Sequence, residues 1–232
     1  MDPDGAATAA HTIRRDMAER PTLVVPRGRH APPLEVRLGV QRQRLFGAAS
    51  AVFARDGFAA ATAEAISREA GMSKATFYEH FANKEECILA LFDEAATEVM
   101  RAMADAEQHG GFAGYEDHVR AGARAFLETL AEYPDTAQTL LVAMTGAGPR
   151  ALERRDAILE AFADALFRDN ARHAPRYGVP TFASRDDSFA VIGAIVELVS
   201  RQLRTGRPED ADELEPVITR LLLGVLDRAG AA

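Results

Sequence analysis

The sequence predicts an all-helical protein, and three observations carry that prediction. Hydrophobic residues make up 47% of 232 positions, with Ala and Leu abundant and Trp absent, a composition that favours helix over sheet. Runs of β-branched residues, which build strands, are few. Apolar residues recur at spacings of three, four and seven along much of the chain, the period of a helix face. The length suits one mid-sized domain or two unequal ones.

Two unequal domains are expected, and the charge distribution is compatible with them without deciding the function. The net charge is −8, yet residues 1–35 carry five Arg against five acids and residues 36–93 seven cations against seven acids. The remaining residues hold 15 Arg against 23 acids, so the whole excess lies in the C-terminal part. The only two lysines, Lys74 and Lys84, both fall within "AGMSKATFYEHFANKEE", residues 70–86. A balanced N-terminal module on an acidic body fits a nucleic-acid reader joined to a domain with another task, and equally an acidic enzyme with a neutral lobe. Cys87 is the single cysteine, which excludes an internal disulfide framework and a multi-cysteine zinc site; a buried helical position is expected for it. No stretch approaches the roughly 18 apolar residues of a membrane span, and the first residues lack the apolar core of a signal peptide. A soluble, cytoplasmic protein is expected.

The elements follow in order. Residues 1–35 lack periodicity and end in "PRGRHAPPLE", which predicts a disordered arm. Arg27 and Arg29 on such an arm can reach a DNA minor groove; a solvated tail is the alternative. From Val36, Leu38, Leu45, Phe46, Ala49, Val52 and Phe53 mark a helix that Gly57 stops. Thr62 is placed to N-cap a second, short helix whose Ile66 and Ala70 share a side, and Gly71 supplies the left-handed conformation that ends it. Ser73 caps a third helix over "KATFYEHF", and Asn83 a fourth beginning at Lys84. The second and third are too short to stand alone and must pack on the first. Five further amphipathic segments are predicted, at about 115–132, 135–145, 149–172, 186–205 and 208–229, separated by Pro- and Gly-rich stretches. The domains expected are the arm to residue 35, a three-helix module at 36–83 and a larger helical domain at 84–232.

Two short helices joined by a tight Gly-containing turn, the second opening on Ser-Lys, form a helix-turn-helix pattern. With about 100° per residue, placing Phe77 at the buried centre of the third helix brings Phe81 and His80 inward. Ala75 and Glu79 then face outward, with Thr76 and Tyr78 on the flanks. Ala75 allows close approach to a thymine methyl, Thr76 the same or a phosphate, and Lys74 can donate to guanine. Tyr78 suits a phosphate and sugar, while Glu79 has no evident partner. Thr62 and Lys84 sit at helix starts that favour an anion. The bland alternative is that Thr62, Ser73 and Asn83 are only caps and both lysines ordinary surface residues.

"DGFAAATAEAISREAGMSKATFYEHFANKEECILALFDEA", residues 56–95, resembles the DNA-binding region of TetR-family transcriptional regulators. The match runs through Gly57, Phe58, Thr62, Ile66, Ala70, Gly71, Ser73, Thr76, Phe77, Tyr78, His80, Phe81, Lys84 and Glu85. Ser67, Met72 and Ala75 depart from the commoner Ala, Val and Gly, and Ala75, on the reading face, leaves operator sequence open. The resemblance implies a homodimeric all-helical regulator with a three-helix DNA-binding domain and a larger effector-binding and dimerisation domain. It implies DNA contacts at Thr62, Lys74, Thr76, Tyr78, His80 and Lys84, and core roles for Phe77 and Phe81; Ser73 and Ala75, at the start of the reading helix, complete the expected DNA-binding set.

The last two segments resemble the helix pair that builds a four-helix dimer interface in that family. Phe189, Ile192, Ile195, Val196 and Val199, then Leu214, Ile218, Leu221, Leu222 and Val225, form their apolar stripes; an intrachain core is the other reading. An effector cavity for a hydrophobic or amphipathic molecule is expected among Phe126, Leu130, Leu140, Leu141, Met144, Phe162 and Phe167, with Gln138, Thr145 or His118 as polar markers. The function implied is an allosteric regulator, a repressor released from a palindromic operator by a small effector. Two other classes compete. An enzyme is disfavoured: the six histidines show no paired metal-ligand spacing, no phosphate loop or nucleophile elbow is present, and no cofactor or metal is expected. His118 beside Glu116 and Asp117 is no acid-base cluster, since helix neighbours face different ways. A helical dimerisation module without sequence-specific DNA binding is the remaining alternative.

Overall fold

Gly57 sets the first architectural feature. The computed structural model describes residues 33–108 and 111–229, apart from the side chains of Thr145 and residues 227–229. The first helix, α1, spans Leu34–Ala60, but Gly57 inside it has φ 74° and ψ 162°, a combination essentially confined to glycine. The helix breaks there and residues 58–60 form one more turn. Helices α2 (Ala63–Glu69), α3 (Lys74–His80) and α4 (Lys84–Gln108) follow, then α5 (Tyr115–Glu132), α6 (Pro134–Leu141), α7 (Pro149–His173), α8 (Arg185–Thr205) and α9 (Glu215–Ala229). Short 3₁₀ turns occupy Ala143–Gly146, Ala174–Tyr177 and Ala211–Leu214. Among the described residues there is no strand, as the composition predicted. The expected arm, with Arg27, Arg29, His11 and His30, lies outside them, as does His109.

Two compact units make up the chain, Met1–Gln41 and Arg42–Ala232. Among its described residues the first holds the opening turns of α1; the second holds everything discussed below.

Two segments differ from expectation. The segment expected at 135–145 closes its α-helix at Leu141 and tightens into a 3₁₀ turn. Pro134, read as a separator, is the first helical residue of α6, where its missing N–H goes unneeded and its φ is pre-set. The last segment begins its α-helix at Glu215, seven residues later than expected, after a 3₁₀ turn capped by Asp210 accepting from the Asp212 N–H. The periodicity of "DADELEP" does not distinguish a 3₁₀ turn from an α-turn.

Buried side chains fall into three clusters. One joins Leu45, Phe46, Ala49, Val52 and Phe53 of α1 to Ile66, Phe77 and Phe81, continues through Cys87, Ile88, Leu91 and Phe92 of α4, and ends on Leu140, Met144, Ala151 and Ile158. The α1 segment from Leu45 and the two short helices α2 and α3 thus rest on α4, α6 and α7. A hydrogen bond from Thr139 Oγ1 to the Ser50 carbonyl (3.0 Å) and a contact between the Ser50 and Thr136 hydroxyls (2.9 Å) tie α1 to α6. A second cluster packs Tyr115, Val119, Ala123 and Leu127 of α5 against Val191, Ile195, Val199, Leu214, Ile218, Leu222 and Leu226. The third joins Leu159 and Ala163 of α7 to Ile192 and Val196 of α8. Among the described residues no helix is long and apolar enough to cross a membrane.

Candidate nucleic-acid interface

The turn between α2 and α3 is fixed by complementary caps. Thr62 Oγ1 accepts from the Ala65 N–H (3.1 Å), and Ser73 Oγ accepts from the Thr76 N–H (3.0 Å) while lying 2.9 Å from the Thr76 hydroxyl. Asn83 Oδ1 accepts from the Glu86 N–H (2.9 Å). Gly71 ends α2 at φ 63°, and Arg44 reaches from α1 to donate to the Ala70 carbonyl (2.8 Å), a C-terminal acceptor the helix cannot satisfy itself. Ser67, where the family commonly has Ala, is buried and donates back to the Ala63 carbonyl (2.7 Å). All three predicted caps are thus present.

Helix α3 divides as predicted into two faces. Phe77 is fully buried and Phe81 nearly so, their rings 5.5 Å apart. Arg42 lies over the Phe46 and Phe81 rings at 4.9 and 5.1 Å, closing the rear of the module with cation–π contacts. Lys74, Ala75, Tyr78 and Glu79 are exposed, Thr76 and His80 half-buried. Tyr78 is 51% exposed, its amphipathic ring open to solvent on the outer face of α3. The Lys74 ammonium lies 5.9 Å from its ring. Burial, then the positive charge of Arg42, lowers the pKa of His80, so its imidazole is neutral at physiological pH.

Lys84 departs from expectation. Its Nζ donates to the carbonyls of Phe58 (2.7 Å), Ala59 (3.0 Å) and Ala61 (3.0 Å), and lies 4.6 Å from the centroid of the Phe58 ring. An ammonium has three donors, so this arrangement satisfies all of them inside the protein. The cause is the break at Gly57: the turn after it leaves carbonyls without helical partners, and a cation at that negative end satisfies them. Lys84 therefore does not present its ammonium to a phosphate; it joins the end of α1 to the start of α4.

The effector residues do not share one environment. Phe126, Leu130, Leu141 and Phe167 flank the α5–α8–α9 cluster as half-buried side chains, Gln138 is also half-buried, and Phe162 borders the first and third clusters. Met144 and Leu140 are buried in the cluster beneath α1. The Thr145 side chain lies outside the described ones. Of the expected dimer residues, Ile192, Ile195, Val196, Val199, Leu214, Ile218 and Leu222 are at most 9% exposed within the single chain, packed on α5 and α7. These seven form the intrachain core, the alternative reading of the stripes. Phe189 (36% exposed) and the half-buried Leu221 and Val225 remain on the outer side. Gly193 and Gly224, where an added Cβ would meet nothing within 4 Å, are helical too.

His118, Asp169 and His173 come together where α5 meets α7. His118 is 4% exposed, and its Nε2 pairs with Asp169 Oδ2 at 2.8 Å, while His173 Nδ1 pairs with Asp169 Oδ1 at 2.6 Å. His118 and Asp169 are 51 residues apart, so histidine spacing alone could not reveal them; the visible signal was Asp169 and His173 one helical turn apart. The hydrogen bond to Asp169 raises the pKa of His118. Burial pushes the Asp169 carboxyl up, but the hydrogen bond from His118 and the charges of both imidazoles outweigh it and leave the pKa below its usual value. Glu107, at the end of α4, is pushed up to about 7 by burial and by the negative charge of Asp169.

The family model described as bacterial regulatory proteins, tetR family, matches residues 45–91. Among solved structures, the fold is similar to the fatty acid degradation regulator FadR from Bacillus halodurans, at 18% identity and TM-score 0.70, over 79% of this chain and 94% of that one. It is similar to FadR from Bacillus subtilis in complex with stearoyl-CoA, at 17% identity and TM-score 0.69, over 79% and 98%. It is also similar to NalD of Pseudomonas aeruginosa, the secondary repressor of a multidrug efflux pump, at 22% identity and TM-score 0.56, over 82% and 95%. The capped α2–α3 pair and the exposed face of α3 lie within the stretch that matches the tetR-family model, and the chain shares its fold with solved tetR-type regulators.

Proposed function

We propose that the chain binds a palindromic operator as a homodimer, with α3 of each protomer in the major groove, and that a small hydrophobic or amphipathic effector releases it. The observation that carries this reading is the exposed, polar, capped face of α3 on a fully buried Phe77. Lys74, Ala75 and Thr76 reach base edges, Tyr78 and Thr62 the phosphate backbone, and Ser73 and His80 set the pitch of the helix. Lys84 acts by holding the module to α4. One short helix reads few base pairs, so a two-fold assembly is needed for a specific site.

The dimer forms through the outer side of α8 and α9. Phe189, Leu221 and Val225 are the apolar groups available there, and Gly193 and Gly224 let partner helices approach closely. The effector is taken up beside the half-buried Phe126, Leu130, Leu141, Phe162 and Phe167. Stearoyl-CoA bound to the Bacillus subtilis FadR of similar fold supports an acyl chain as the first class to try. The coupling route runs through the Ser50–Thr136 and Thr139–Ser50 contacts from α6 to α1: an effector that shifts α6 changes the separation of the two α3 helices, and DNA and effector weaken each other by the same factor. Occupying a promoter requires no further surface, which favours repression. The boundary proposed at residues 83 and 84 is that between the reading module and the helices that carry it, and the cytoplasm is where such a regulator meets DNA.

Binding to fluorescent duplexes tiled across the DNA flanking the gene tests this reading. Saturable binding to one palindrome, weakened by salt and reversed by an acyl-CoA, is expected. A folded dimer with no preference among duplexes would instead support the helical interaction module.

A further inference from the structure

We propose that His118, Asp169 and His173, with Glu107 beside them, form a binding site for a divalent first-row transition metal ion of the Zn²⁺ or Co²⁺ class, where the ends of α4, α5 and α7 meet. The proposal is independent of operator recognition. The two imidazole nitrogens and the Asp169 carboxylate supply donors that lie within 4.8 Å of one another. Both nitrogens already point at the same carboxylate, at 2.8 and 2.6 Å. An ion at about 2.0–2.2 Å from each ligand needs donors roughly 3.3–3.6 Å apart. It would take the place of the two shared protons, the N···O pairs opening while the longest separation closes by roughly 1 Å. His173 and Asp169 retain 22% and 18% side-chain exposure, so an ion has a way in.

Charge points the same way. The Asp169 and Glu107 carboxyl groups lie close together in a mostly buried place, where a divalent cation offsets their mutual repulsion. Gly122 lies one turn beyond His118 on the same face of α5, and a Cβ there would come within 3.4 Å of Glu107 Oε1. That is an ordinary contact distance, and it places the Glu107 carboxyl beside the face of α5 that carries His118. The surroundings fix the donors in the way outer partners of metal ligands do. The Tyr115 ring stacks on His118 at 5.6 Å, and the Phe112 ring meets it edge-on at 5.3 Å. Asn170, next to Asp169, donates to the Tyr115 hydroxyl (2.8 Å) and accepts from the Phe182 N–H (2.9 Å). Arg176 is the positive charge that opposes an ion here. Imidazole with carboxylate and no thiolate selects zinc, cobalt, nickel or iron(II) over magnesium or calcium on one side and copper(I) on the other.

The test is titration of the metal-stripped full-length protein with Co²⁺, followed by its visible absorption, and with Zn²⁺ by competition against a chromophoric chelator. One ion per chain with a cobalt spectrum of nitrogen and oxygen ligands is expected. Affinity should fall in His118→Gln and in His173→Gln by more than the roughly 10–100-fold that loss of an outer partner costs. His173 is the more exposed of the two, so its variant keeps the test decisive should the other fail to fold; circular dichroism monitors both. Absence of stoichiometric binding, or unchanged affinity in a folded His173→Gln, would overturn the proposal.

Discussion

Replacing Lys84 by Met separates a structural lysine from a DNA-reading one. The substitution keeps the aliphatic stem on the Phe58 ring and removes three donors from the Phe58, Ala59 and Ala61 carbonyls. Hydrogen bonds to a charged group contribute about 1.5–3 kcal/mol each in net terms, but here one ammonium serves three acceptors, and the Ala59 carbonyl is exposed enough to turn to water. Leaving the two part-buried carbonyls unmet costs about 1–1.5 kcal/mol each, and losing the cation over Phe58 about 0.5–1 kcal/mol. The expected loss is about 2.5–4 kcal/mol. In urea, at an m-value of about 2–3 kcal/mol/M, the unfolding midpoint falls by about 1 M. Lys74→Met, at an exposed site, stays within about 0.5 kcal/mol of the wild type while weakening DNA binding. A Lys84→Met midpoint within about 0.2 M of the wild type, the equivalent of about 0.5 kcal/mol, would refute the assignment of Lys84 to the junction.

Gly71→Ala forces an alanine into φ 63°, while the added Cβ meets Arg44 only at ordinary contact distance; a loss of about 1–2 kcal/mol is expected by urea unfolding. Gly224→Arg places a long cation on the outer face of α9, where it has open space in the protomer and helix propensity improves by about 1 kcal/mol. Sedimentation should therefore find a well-folded monomer, whereas a dimer would exclude this face as the interface. Cys87 is buried, which pushes its thiol up to about 12, so almost none is thiolate at pH 8. Iodoacetamide should label it slowly in the native protein and rapidly in urea, and equal rates would contradict its burial.

What the sequence disclosed and what it hid follow from range. Caps are local devices: Thr62, Ser73 and Asn83 each bond within three residues, so spacing alone located them. The burial of Phe77 and Phe81 follows equally from helical period. The partners of Lys84 lie 23–26 residues away and exist only because Gly57 breaks α1, so local spacing does not reveal them. The stripes on α8 and α9 were read correctly as apolar, but a stripe does not say whether α5 and α7 or a second protomer covers it. His118, Asp169 and His173 meet across two helices, and no window of sequence contains all three.

The most direct measurement is fluorescence anisotropy of the operator duplex with wild type and with a Lys74→Ala, Tyr78→Ala double mutant, at two salt concentrations. The account predicts that the mutant keeps the wild-type unfolding midpoint, loses selective binding and shows a shallower salt dependence. A folded mutant that still selects the same palindrome with wild-type affinity would contradict the assignment of α3 as the reading helix.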